Sequence, residues 1–136
     1  MKNIFHFLFI ILFLACESDG SNNQYCDIVK TEIINLSNPQ FINIQVPGGW
    51  AYANGSVKGL VIYNFGNSFK AFSRECPHVT CAGKLSVVNN IKLVCPCDDA
   101  EFSILDGSPQ TAGISESVCE FRVIEVSSSI LNITNF

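Results

Sequence analysis

Between residues 76 and 102 the chain reads CPHVTCAGKLSVVNNIKLVCPCDDAEF, so four cysteines and a histidine fall into two short knuckles separated by an apolar hairpin. A fold that pairs the two halves of that hairpin carries Cys76-x-His78-x-x-Cys81 and Cys95-x-Cys97 to one point. Thiolates and imidazole are the donors of zinc, copper and iron–sulfur sites. Thiols brought this close also pair as disulfides wherever the surroundings are oxidising. Read as residues alone, the knuckles leave a metal ion, an iron–sulfur cluster and a disulfide staple with a solvated His78 all open.

The sequence around the knuckles is written for strands. FINIQV (41–46) alternates apolar and polar residues and is expected to be a strand, and WAYA (50–53) resumes after the PGG break. KGLVIYN (58–64) and SFKAFSR (68–74) read as a hairpin across FGN. KLSVV (84–88) and IKLVC (91–95) flank Asn89 and Asn90, which tolerate the positive φ of a tight turn. EFSIL (101–105) closes at Asp106–Gly107, and EFRVIEV (120–126) pairs with ILNIT (130–134) across SSS. The nearest approach to a helical period is residues 25–37, weakened by its β-branched content. Seven or eight short strands at this spacing predict an all-β protein, an antiparallel sandwich or small barrel with two cysteine-bearing loops.

The N-terminus belongs to a different kind of sequence. Residues 1–15, MKNIFHFLFIILFLA, carry one lysine, no acid and an apolar run, the layout of a secretory signal peptide. FLAC places Cys16 where a bacterial lipobox has its lipidated cysteine, and ESDGSNNQ behind it is a flexible tether. The expected organisation is a signal peptide at 1–15, a lipidated cysteine and tether at 16–25, and one domain at 26–136. Localisation follows: the cell envelope, lipid-anchored, periplasmic or outer-membrane-associated, with the membrane held through the lipid on Cys16. The formal net charge of −4 argues against nucleic acid as a partner, because phosphates need a basic face. No nucleophile is paired with a base, and beyond His6 of the signal the only imidazole is His78. No enzyme is indicated beyond an electron-transfer component.

Over roughly residues 40 to 134 the pattern resembles the Rieske [2Fe–2S] domain, most closely the small Rieske-like lipoproteins of the Bacteroidetes, in which a CPCDD loop also occurs. That family carries C-x-H-x-x-C in one loop and C-P-C-H-G-x-x-F in the other, then a short strand, a D-G turn and a final strand pair. CPHVTC, CPCDDAEF, DGSP and Gly113 match those parts. The resemblance implies a [2Fe–2S] cluster ligated by Cys76, His78 and Cys95, and a Cys81–Cys97 disulfide between the loops. Asp98 falls where the family has its second histidine, and Asp99 where it has glycine. Two imidazoles in place of two thiolates raise the potential of such a cluster, so a set completed by Asp98 is expected to sit lower and to lack one ionisable imidazole. Cys26 and Cys119 remain for a further bridge. The implied role is a one-electron carrier with an unknown redox or envelope protein as partner. The alternative is a cluster-free domain clamped by disulfides, with Cys76 bonded to Cys95, acting as a structural or binding module. Zinc held by Cys76, His78, Cys95 and Asp98 is a third occupant.

Overall fold

A computed structural model describes residues 31–136. The nine strands are β1 (Glu32–Asn35), β2 (Trp50–Ala53), β3 (Leu60–Asn64), β4 (Phe69–Ser73), β5 (Ser86–Val88), β6 (Lys92–Val94), β7 (Glu101–Ser103), β8 (Glu120–Ser127) and β9 (Ile130–Thr134). All pair antiparallel, in a six-stranded sheet of order β1-β9-β8-β4-β3-β2 and a three-stranded sheet of order β5-β6-β7. The all-β expectation holds. The signal peptide, Cys16, the tether and Cys26 lie outside the described residues.

Two apolar cores meet at β3 and β4, and strand alternation is the reason. In LVIYN, Leu60 and Ile62 face a core built with Ile34, Phe41, Phe121 and Leu131, while Val61 points to the other side. Next to it Ala71 joins the first core and Phe72 the second. Side chains of a strand alternate between faces, so an unbroken apolar run marks a strand buried on both. The second core lies under the three-stranded sheet and contains Leu85, Leu93, Phe102, Ile104 and three of the four knuckle cysteines, Cys76, Cys81 and Cys95. The knuckles are therefore anchored in the core at their bases.

One expectation is corrected. FINIQV is not a strand: Pro39–Gln45 forms a 3-10 helix that buries Phe41 and Ile44. Residues three apart share a face of such a helix, and Pro39 starts it without losing a needed N–H. Asn64 holds it from outside by donating from Nδ2 to the Ile44 carbonyl at 2.8 Å. Glu32–Asn35, inside the segment with the nearest helical period, is strand β1, since Ile34 finds its burial by pairing with β9.

The turns obey their residues. Asn89 and Asn90 take φ of 53° and 61°, the positive values expected of a tight turn, in a connection that Ile91 lengthens to three residues, and Asn90 accepts a 2.8 Å hydrogen bond from Trp50 Nε1. In the Asp106–Gly107 turn the Asp106 carboxylate accepts from the Ser108 hydroxyl at 2.7 Å and from the Ser108 N–H at 3.0 Å. These bonds, the hydroxyl first, hold the Asp106 carboxyl below the usual carboxylate range. A depressed folded-state pKa contributes stability that is present above the unfolded value and lost as pH falls through the folded one. Asp106→Asn is therefore expected to flatten the acid limb of the stability curve, measured as urea midpoints below pH 4 and at neutrality; identical limbs in both proteins would refute it.

Candidate metal centre

Each knuckle leaves the end of a strand whose side chains are fixed in the second core. The first follows β4 and returns into Leu85, whose N–H donates to the Arg74 carbonyl at 2.7 Å while its own carbonyl accepts from Arg74 Nε at 2.9 Å. The second joins β6 to β7, closed by Cys95 N–H to Ala100 O at 2.9 Å and Asp99 N–H to Cys95 O at 3.0 Å. Asp99 takes φ of 59°, so the backbone shape that glycine supplies in this family's loop is adopted here by an aspartate. The loops touch elsewhere as well: a Cβ on Gly83 would lie 2.5 Å from Pro96 Cγ, which leaves room only for glycine.

Two disulfides join the knuckles. Cys76 is bonded to Cys95 with Cα atoms 5.7 Å apart, and Cys81 to Cys97 with Cα atoms 6.0 Å apart. The Sγ atoms of Cys76, Cys81 and Cys95 all lie within 4.8 Å of one another. Cys119 is also disulfide-bonded.

His78, on the first knuckle, is tied to Asp98 on the second. Its side chain is 10% exposed, its ring lies 5.7 Å from that of Phe102, and its Nε2 meets Asp98 Oδ2 at 2.6 Å. The hydrogen bond from His78 is the main reason that the Asp98 carboxyl titrates below its ordinary range. Asp98 Oδ1 accepts from the Ala100 N–H at 3.2 Å. An Nε2–H donated to the carboxylate leaves Nδ1 as the lone-pair nitrogen, and Nδ1 is buried without a partner.

Cys76, Cys81, Cys95, Cys97, His78 and Asp98 thus come together at one end of the molecule. Phe102, which packs on His78, and Gly83 with Pro96, which seat one loop against the other, are contributors that the sequence reading did not assign. Phe102 had a signal, since it fills the final position of C-P-C-H-G-x-x-F.

The fold agrees with the comparisons. The Rieske [2Fe-2S] domain model matches residues 35–122, and the chain belongs to that family. Similar solved structures include the ferredoxin of carbazole 1,9a-dioxygenase from Nocardioides aromaticivorans IC177, at 19% identity over 67% of this chain and 88% of that one, TM-score 0.49. Another is a complex of reduced oxygenase and oxidized ferredoxin in carbazole 1,9a-dioxygenase, at 18% identity over 81% of this chain and 93% of that one, TM-score 0.50. A third is a putative NADH-dependent nitrite reductase small subunit from Mycobacterium tuberculosis, at 13% identity over 81% and 98%, TM-score 0.47. At these identities the likeness concerns the fold. No curated protein matches the chain.

A cluster of this family needs two thiolates on one iron and imidazole nitrogen on the other. Once their bond is reduced, Cys76 and Cys95 meet the first need, and the unpartnered Nδ1 of His78 meets half of the second. Cys76, Cys95 and His78 are therefore donors of the kind the group needs, and Asp98 occupies the sequence position of the fourth.

Proposed function

We propose that the domain is a one-electron carrier whose [2Fe–2S] cluster is held by Cys76, Cys95 and His78 and completed by Asp98. The buried Nδ1 of His78 carries this reading, because a buried polar atom without a partner is costly and an iron would be that partner. When bound, the cluster would supply one-electron chemistry. The protein residues would position it: Cys81–Cys97 locks one loop to the other, Phe102 supports the His78 ring, and the Asp98 carboxylate, which here bonds His78 Nε2, would have to leave that bond to ligate iron.

Anaerobic reduction of the unfolded chain, followed by refolding with iron and sulfide, tests the reading: with Cys76 and Cys95 free as thiols the protein is expected to take up iron and develop visible charge-transfer absorption, and its failure to take up iron under those conditions sinks the carrier. In the loaded protein, Asp98→His is expected to raise the reduction potential, on the order of 100 mV or more, since it exchanges a carboxylate for a neutral imidazole. An unchanged potential would remove Asp98 from the site.

The Cys76–Cys95 bond favours a second reading, a cluster-free module clamped by disulfides. Alkylation and mass spectrometry of protein taken from its native envelope separate the two, since the carrier requires both residues as thiols or ligands and the clamp requires them bonded.

Among the described residues no helix is long and apolar enough to cross a membrane. We place the protein in the cell envelope through a lipid on Cys16, as in the Bacteroidetes lipoproteins that its CPCDD loop resembles. Its partner there is a redox protein. The complex of an oxygenase with its ferredoxin supports that class of partner for the carrier fold.

A further inference from the structure

We infer that the cleft between β2, the turn after it and the return arm of the first knuckle is an anion site, built by Lys58, Arg74 and Lys84 for a small phosphate-class oxyanion. The cleft measures about 250 Å³ and none of its lining residues is acidic. This is unexpected in a protein whose acids outnumber its bases. Of the other basic residues at positions 31–136, Lys70 lies 3.2 Å from Glu120 and Lys92 lies 2.6 Å from Glu101. Arg122 lies 5.6 Å from the ring of Phe136. Lys58, Arg74 and Lys84 instead gather around one concavity, with no ion pair among the described residues. Like charges focused by low-dielectric walls raise the local concentration of anions.

Arg74 is prepared for such a ligand. Its Nε donates to the Leu85 carbonyl at 2.9 Å, and its guanidinium carbon lies 3.5 Å from the centre of the Tyr52 ring. Backbone bond and aromatic stack fix the plane of the fork, and no described residue accepts from its Nη groups, whose N–H bonds match an oxyanion in pairs. Burial lowers the arginine pKa from its usual value, the mark of a partly desolvated cation. Lys58 Nζ donates one proton to the Ala82 carbonyl at 2.9 Å, which leaves two of its three. Lys84 sits exposed at the rim.

Size sets the ligand class. The volume lies below the roughly 300–1,000 Å³ of pockets for drug-sized molecules, so the occupant is one group, inorganic phosphate or the end of a phosphomonoester. The position has a consequence for the knuckle. Arg74 holds Leu85 and Lys58 holds Ala82, so an anion between them braces the segment that carries Cys81. The inference does not depend on what occupies the cysteine site.

Calorimetric titration with inorganic phosphate, at constant ionic strength maintained by chloride, tests it. Saturable binding of one phosphate per chain is expected. The double substitution Lys58→Gln and Lys84→Gln is expected to weaken it at least about tenfold, the scale of losing hydrogen bonds to a charged group. Lys84 is exposed and Lys58 half-buried, and an unchanged urea midpoint in the variant certifies its fold. Heats that do not saturate, that chloride reproduces, or that survive in the folded variant overturn the site. Glycerol 3-phosphate in a parallel titration distinguishes the sources: tighter binding than inorganic phosphate assigns a phosphomonoester such as a lipid headgroup, and weaker binding assigns the free ion.

Discussion

Phe102→Ala is expected to lower the unfolding free energy by about 3–5 kcal/mol, the range for truncating a buried aromatic ring. Phe102 is fully buried, belongs to the core that contains Cys76, Cys81 and Cys95, and pairs with Leu93 across the β6–β7 ladder. It also bridges to Pro109, which fastens the strand after the second knuckle to the segment beyond the Asp106 turn. Against a typical total margin of about 5–15 kcal/mol, a loss of this size leaves the domain marginal. The same ring lies 5.7 Å from His78, so truncation also removes the wall that keeps the imidazole in place. Urea unfolding measures the first effect, and the line widths of the His78 imidazole resonances in NMR measure the second. A loss near 1 kcal/mol with His78 still ordered would show that the second core closes without this ring.

The β3–β4 hairpin, the β8–β9 pair and the Asn89–Asn90 turn were legible because each is decided locally, by apolar runs and by residues that accept positive φ. Once the β5–β6 hairpin is fixed, the meeting of the knuckles follows, since the first leads into β5 and the second leaves its partner β6. Pro39–Gln45 was misread because its apolar residues fit two periods. Phe41 and Ile44 are spaced for a helix face, while FINIQV also alternates, and tertiary burial of that pair decided between them. Asp99 shows the converse: an unfavourable residue for positive φ adopts it because the bonds around Cys95 and Ala100 fix the loop. The basic cleft could not be seen at all, because Lys58, Arg74 and Lys84 come from three separated segments and only the pairing of β3 with β4 and the return into Leu85 bring them together. The tie between His78 and Asp98 is of the same kind, twenty residues apart in sequence and 2.6 Å in space.

Replacing both Cys81 and Cys97 by serine is expected to cost about 3 kcal/mol in urea unfolding, the chain-entropy estimate for cross-linking residues separated by sixteen positions. The logarithmic dependence on loop length gives the Cys76–Cys95 bridge, with a separation of nineteen, nearly the same value. Access, not loop length, separates the two bonds. Cys97 is exposed, whereas Cys76 and Cys95 are 2% and 0% exposed. Thiol–disulfide exchange needs the attacking thiolate to reach a sulfur, so a reductant acting on the folded protein has an entry at Cys97 and none of comparable openness at the other pair. Under native conditions Cys97 and Cys81 are expected to become alkylatable first, with Cys76–Cys95 surviving until the domain opens, as read by mass spectrometry over a reduction time course. Equal rates for both pairs would mean that the second core opens locally around the knuckles. If the order holds, the bond between the two proposed thiolate ligands is the one that a folded chain cannot readily reverse. A cluster would then have to meet Cys76 and Cys95 as free thiols before they pair, which makes the competition between iron and oxidation at folding the step that decides which of the two proposed states the protein occupies.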